Sequence, residues 1–465
     1  MNFTISDILR APHLKSIGLE KLSAKTRIKN VSTDSRQIRK GDLFIALRGE
    51  NFDGHLFLSQ VAKAGAIAAV VDEKWYKKNA KTVPKRFPLL VVKDTLHTYG
   101  DLANIYRNKF TIPIVLVAGS NGKTTTKDVI SHVLAAKYSV LKTEANYNNH
   151  VGLPRMLFSL TSKHDIAIIE IGTNHPGEIA RLTEIAEPTH GIITNIGREH
   201  LEFFKDLKGV AKEELALFDY LSAHDGTAII NLDDRYIRTE AKRFHGFSET
   251  YSTTSKADVR AASKGFTADG KLRVEVLIGK QKIALRTSII AEYAPSLIAA
   301  VNAIAIRFGV SPSSIKKSLE EYKPHSKRME MIRLANGALV INDTYNANPE
   351  SFDAALETLY KIPATGKKYL AAGDMFELGN TSAREHTKLG KVMASYKFDG
   401  YYFAGEAMKN ALRELKKTFK KASAIHTAKN EIVASLRSQL KKDDVLLLKG
   451  SRGMRMEEIL SQLKT

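Results

Sequence analysis

Apolar and polar positions change period several times along the chain, and each change marks an element. The short apolar runs at 43–47, LFIAL, and 66–71, AIAAVV, predict strands; GHLFLSQVAKAG between them predicts an amphipathic helix, and FPLLVV a further strand. Lys77 to Pro88 is polar and basic and predicts an exposed loop. IPIVLVA at 112–118 is continuously apolar, as a strand covered on both faces should be, and a helix is predicted from Thr124 to about Ala136. Strand signals recur at 139–143, 165–171, 191–195 and 227–231 with helix-length segments between them. That alternation predicts a mostly parallel sheet whose ligands collect at the carboxyl ends of its strands. From about Lys323 a second alternation runs through ALVINDTY, PESFDAALETLYKI, KKYLAAGDM, a helix from Ala383, DGYYFAG, a basic helix, DDVLLLKG and a final helix, without a dinucleotide fingerprint. The expected fold class is α/β in three domains: a small α/β unit over 1–95, a central mononucleotide-binding parallel sheet over 96–322 and a Rossmann-like unit over 323–465.

Composition narrows the function classes. With 465 residues, 43% of them hydrophobic, the chain can bury several cores. No stretch approaches the roughly 20 apolar residues of a membrane span, and MNFTISDILRAPHLK carries charge and proline where a signal peptide needs an apolar core, so a cytoplasmic protein is expected. The absence of cysteine excludes disulfides and thiolate metal sites. A formal charge of +21 invites a nucleic-acid reading, but the basic residues are spread along the chain with only short clusters such as Lys77-Lys78 and Lys416 to Lys421, and acidic residues are interspersed. A solvated basic surface that favours small polyanionic substrates is expected, with no nucleic-acid partner.

The candidate chemistry centres on GSNGKTT. A strand, a loop with two glycines and a helix opening on Lys-Thr aim backbone N–H groups and a helix dipole at one point, which suits phosphate. Gly119, Ser120, Asn121, Gly122, Lys123, Thr124 and Thr125 are the nucleotide-binding candidates, with Lys123 neutralising terminal phosphate and the Thr124 hydroxyl placed for Mg²⁺. The usual pattern has a glycine five positions before Gly122; here that position is Val117, so the loop is a shorter variant. Glu170 ends one strand, His200 follows another, and Asn146, Asn148 and Asn149 follow a third; a carboxylate and an imidazole near the loop make a candidate hard-cation site.

GSNGKTTT, TEANYNNHVGLP, EIGTNHPGEI, ITNIGREHLEFF, INDTYNANPES, GDMFELG and KGSRGMRMEEI, in that order, resemble the Mur ligases of peptidoglycan synthesis over nearly the whole chain. The TYNANPES and GTNHPGEI blocks resemble the D-alanyl-D-alanine-adding branch. The resemblance implies an ATP-dependent amide ligase, a monomer, that joins D-alanyl-D-alanine to UDP-N-acetylmuramoyl-tripeptide through an acyl phosphate. It implies that Lys123 holds the β- and γ-phosphates, that Thr124 and Glu170 bind one Mg²⁺, and that Glu170 with His200 binds a second. STDSRQIRKGDLFIALRG resembles the family's UDP-binding unit and implicates Ser35 and Arg36. Arg328 and Asp343 are implied on the far side of ATP, and Tyr345, Asn346, Asn348 and Ser351, with Asn146, Asn148 and Asn149, around the substrates. Departures are Glu214, where the family carries a carbamylated lysine, Tyr293, where His is common, Leu297, where a nucleotide-contacting Asn is expected, and Lys327, where Gly precedes the arginine. Glu214 is expected to supply permanently the charge that carbamylation adds. The rivals are another Mur-type ligase, a folylpolyglutamate-synthetase-like ligase and, more remotely, a nucleic-acid-binding NTPase.

Overall fold

The computed structural model describes residues 1–19, 22–198 and 201–464, with backbone alone at 201–202. The structure is built on three sheets. The first has five strands in the order Lys15–Ile17, Leu89–Val92, Ala68–Asp72, Leu43–Ile45, Val31–Ser32, parallel except for the first. One face packs its own cluster, with Phe44, Val61 and Val71, and the other is shared: Phe3, Ile5 and Leu90 belong to one apolar cluster with Tyr99, Leu102 and Leu116, so the helix Thr95–Arg107 ties the first sheet to the second.

The central sheet has nine strands. Val140–Lys142, Ile166–Glu170, Ile114–Ala118, His190–Ile193, Thr227–Asn231 and Phe247–Ser252 run parallel, and the strand at Val259–Phe266 continues the parallel order. Register sets where these strands end. Val117 lies opposite Glu170 on one side and Ile192 on the other, so three strands end level with the loop that begins at Gly119. Helices cover both faces, which is why Ile114–Ala118 is buried throughout.

The last two strands, Leu272–Ile278 and Gln281–Thr287, turn antiparallel. Their period-two burial, with Leu272, Val274 and Val276 inside, packs under the apolar helix Ala294–Arg307.

The third sheet, Glu330–Arg333, Leu339–Asp343, Val445–Lys449, Lys368–Gly373, Gly400–Ala404, Ala424–His426, is parallel after its first strand. Lys449 pairs with both Asp343 and Ala372, so the loops TYNANPE, GDMFELG and GSRG open at one edge.

One expectation changes. Residues 77–88 are not loop throughout: Glu73–Asn79 is a helix, because Asp72 accepts the Trp75 N–H as its cap and Glu73 pairs with Lys77 one turn on.

Candidate active site

The phosphate loop is held by the next strand over. Gly119 and Gly122 take φ of 108° and 80°, and a Cβ on Gly119 would lie 2.4 Å from Thr194 Oγ1, so only glycine fits there. Thr194 Oγ1 donates to the carbonyl of Asn121 at 2.7 Å, Asn195 Nδ2 donates to the same carbonyl at 2.9 Å, and the Ser120 hydroxyl accepts Gly197 N–H at 2.8 Å. From below, fully buried Glu214 accepts the Gly119 N–H at 2.7 Å. Lys123, first residue of the helix Lys123–Leu134, folds back so that Nζ donates to the Gly119 and Ser120 carbonyls.

Glu170 stands beside this loop at the end of its strand. Its Oε1 accepts Asn148 Nδ2 at 2.9 Å, and its backbone N–H is held by Thr143. Its Oε2 is buried and has no hydrogen-bond partner among the described residues. An orphaned carboxylate oxygen there is expensive unless a cation or a donor meets it. Thr124 lines the same cavity, and a hydroxyl and a carboxylate oxygen are the donor types that a hard divalent cation takes. His200 lies outside the described residues.

The third sheet closes the other wall. Arg328 Nη2 donates to Thr124 Oγ1 at 3.2 Å, and its guanidinium lies 3.8 Å from the centre of the Tyr345 ring. Asn348 Nδ2 donates to Asn121 Oδ1 at 2.8 Å, tying TYNANPE to the phosphate loop. Buried Lys449 donates to Asp343 at 2.5 Å and to the Asn346 carbonyl at 3.2 Å. Arg198 and Glu350 approach to 3.6 Å across the same junction, where burial raises the Glu350 carboxyl above its usual range. Between these walls is a cavity of about 540 Å³, lined by Lys123, Thr124, Glu170, Arg328, Asp343 and Lys449 among others.

Three family models match the chain in order: Mur ligase family, catalytic domain, over residues 27–107; Mur ligase middle domain over 117–305; and Mur ligase, glutamate ligase domain, over 327–452. A UDP-N-acetylmuramoyl-tripeptide–D-alanyl-D-alanine ligase of Bacillus subtilis (strain 168) is 33% identical over 443 residues, 94% of either chain. The chain belongs to the Mur ligase family.

Solved Mur ligases share the fold. The UDP-N-acetylmuramoylalanyl-D-glutamyl-2,6-diaminopimelate–D-alanyl-D-alanyl ligase of Acinetobacter baumannii superposes with a TM-score of 0.82 at 29% identity, covering 99% of this chain and 98% of that one. The MurF ligase of Thermotoga maritima, in complex with ADP, gives 0.81 at 29% identity over 94% and 97%.

Within this Mur ligase the expected residues are placed unevenly. Ser120 to Thr124, Asn146, Asn148, Glu170, Arg328, Asp343, Tyr345, Asn346, Asn348 and Ser351 all line the one cavity. Asn149 is turned away: its Oδ1 accepts the N–H groups of Val151 and Gly152 and so starts a helix. Asn348 and Ser351 form a capping box for the helix Pro349–Lys361, so Ser351 is structural as well as cavity-lining. Thr125 hydrogen-bonds half-buried Tyr293, which lines the cavity, and desolvation of its hydroxyl raises that phenol's pKa. Leu297 lies in the core of its helix.

Ser35 and Arg36 lie in the turn that follows the strand Val31–Ser32 of the first sheet. Arg36 grips Asp34 through Nε and Nη2, both at 2.9 Å, which holds that carboxyl at about 2, and it lines a separate cleft with Lys29, Arg39 and Lys40. Sequence reasoning did not single out Thr194, Asn195 or Lys449. Their signal was positional: each sits at, or just beyond, the carboxyl end of an apolar strand, where Gly119 and Glu170 also sit.

Proposed function

We propose that this chain joins D-alanyl-D-alanine to UDP-N-acetylmuramoyl-tripeptide, converting ATP to ADP and phosphate, in the assembly of peptidoglycan precursors. The names of its relatives support that assignment, as does ADP in the Thermotoga structure. The observation that carries the reading is Lys123 and the orphaned Oε2 of Glu170 in one cavity that two sheets share.

A carboxylate is a poor electrophile. In the proposed reaction one oxygen of the tripeptide's terminal carboxylate attacks the γ-phosphorus of ATP and ADP leaves, giving an acyl phosphate. The dipeptide amine, after losing a proton, then attacks the carbonyl carbon, and phosphate departs with the original carboxylate oxygen. The protein's work is to bring two anions together and hold them in line. Lys123, the loop N–H groups and the helix dipole receive the phosphates, Arg328 adds charge from the facing sheet, and Asp343 receives ribose hydroxyls. Thr124 and Glu170, with His200, would hold Mg²⁺, which when bound offsets the repulsion between carboxylate and phosphate. Glu214 keeps a negative charge beneath the loop while fixing Gly119. Residues 1–95 take the UDP-sugar end, with Ser35 and Arg36; 96–322 hold ATP; and 323–465 close over it and meet the dipeptide through Tyr345, Asn346 and Asn348. All substrates are small and water-soluble, and no helix among the described residues is long and apolar enough to cross a membrane; both are compatible with the cytoplasmic location proposed.

The test is ADP release with tripeptide nucleotide and D-alanyl-D-alanine added separately and together. Sustained turnover only on joint addition is expected. Turnover stimulated by DNA, RNA or folate instead would overturn the assignment.

A further inference from the structure

Among the described residues four carboxylates line the main cavity, and three of them are accounted for. Glu170 stands where a cation is expected, Asp343 is paired with Lys449 at 2.5 Å, and Glu377 is exposed to water. Glu350 is different. Its Oε1 accepts the Arg198 N–H at 3.3 Å, while its Oε2 is buried without a hydrogen-bond partner among the described residues. The charged groups around it do not cancel its charge. Arg198 lies 3.6 Å from Glu350 but is shared with Glu385 at 3.8 Å, and Asp353 adds another acid one turn along the helix. Arg384 and Lys388, the further cations there, are both held by Glu385. A buried carboxylate oxygen left in this state is costly until a donor meets it.

Hydrogen bonds place this oxygen close to the reacting groups. Gly197 N–H donates to the Ser120 hydroxyl at 2.8 Å, and the next N–H along the chain, that of Arg198, donates to Glu350. Backbone nitrogens of neighbouring residues are less than about 4 Å apart, so the Glu350 carboxylate stands within about 10 Å of the phosphate loop. Two residues before it, Asn348 bonds directly to Asn121 of that loop. The acyl phosphate forms between Lys123 and Glu170, which line the same cavity, and an attacking nitrogen must come within about 3.5 Å of its carbonyl carbon. At neutral pH the α-amine of a dipeptide arrives mostly as an ammonium ion, with three N–H donors and a charge opposite to that of a carboxylate.

We propose that Glu350 Oε2 receives the ammonium group of D-alanyl-D-alanine and holds its nitrogen toward the acyl carbon, so that Glu350 selects a free α-amine as the second substrate. This contact rests on the ligase reading. The carboxylate enters from the first turn of the helix Pro349–Lys361, whose start Asn348 and Ser351 fix, and Arg198 steadies its other oxygen from the central sheet. The amine is therefore met where the two sheets join, by a group whose direction both of them set.

The experiment measures Kd for D-alanyl-D-alanine and for D-lactyl-D-alanine, in which a hydroxyl replaces the amine, with UDP-N-acetylmuramoyl-tripeptide and ADP present so that no turnover occurs. The parent is expected to bind the dipeptide about tenfold tighter or more, as a charge-assisted hydrogen bond does. Glu350→Gln, which keeps an oxygen for the Arg198 N–H, should weaken the dipeptide about tenfold and leave the lactyl compound within about twofold, erasing the preference with the thermal midpoint unchanged. Glu377→Gln, at the exposed carboxylate of the same cavity, should preserve it. A parent without preference, a preference that survives Glu350→Gln, equal weakening of both ligands by that variant, or a preference erased by Glu377→Gln would overturn the assignment. No ADP release from the parent supplied with ATP and both substrates would instead overturn the ligase reading, and the amine contact with it.

Discussion

At the edge of the central sheet the phosphate loop is tied down by its own neighbours, with Thr194, Asn195, Gly197 and Glu214 each bonded to it. At the facing edge of the third sheet, Arg328 and Asn348 reach across on single hydrogen bonds of 3.2 and 2.8 Å, and Asp343 and Asn346 are steadied by Lys449 from within their own sheet. A net hydrogen bond is worth about 1 kcal/mol, so the second set of crossings breaks cheaply while the first does not. The central sheet therefore supplies preorganised charge, and the third sheet supplies groups that can arrive and leave with substrate.

The largest expected effect breaks the fixed side. Lys123→Ala should lower ADP release on the order of 10³-fold, as loss of a preorganised charge does, with the thermal midpoint nearly unchanged. Next comes Gly119→Ala, where the positive φ and the close approach to Thr194 should cost roughly 1–3 kcal/mol in chemical denaturation and depress turnover as well.

On the facing side the effects shrink. Asn348→Asp keeps a cap for the helix Pro349–Lys361 but removes the donor to Asn121, so KM for D-alanyl-D-alanine should rise about fivefold, in line with one hydrogen bond. Equal effects at Asn348 and Lys123 would erase the distinction between the two edges.

The smallest effect concerns pH. Partial desolvation raises the carboxyl of Asp353, an exposed residue, above 3.8, with Arg198 opposing and Glu385 adding to the shift. A raised folded-state pKa means stability present below 3.8 and lost as pH climbs through the folded value. Asp353→Asn should therefore flatten thermal midpoint against pH above 3.8 and leave the acid limb unchanged.

Much of this arrangement was legible before the structure. Buried parallel strands announce themselves as unbroken apolar runs, and IPIVLVAGSNGKT carries strand, loop and helix start in thirteen residues. Side-chain direction in irregular segments was not legible, because no period governs it. Asn148 and Asn149 are adjacent amides, yet one holds Glu170 and the other starts a helix. The antiparallel end of the central sheet did leave a signal, the period-two alternation of LRVEVLI, which a reading centred on strand–helix alternation passes over. Glu214 shows a further limit: its identity spoke of charge near a metal, and its geometry adds a grip on the Gly119 N–H.

If the fixed edge works as proposed, the terminal carboxylate of the tripeptide is itself phosphorylated between Lys123 and Glu170. Labelling that carboxylate with ¹⁸O and analysing the phosphate released with D-alanyl-D-alanine and ATP follows the oxygen through the reaction. One labelled oxygen is expected in each phosphate formed; unlabelled phosphate alongside normal peptide-bond formation would rule out the acyl phosphate.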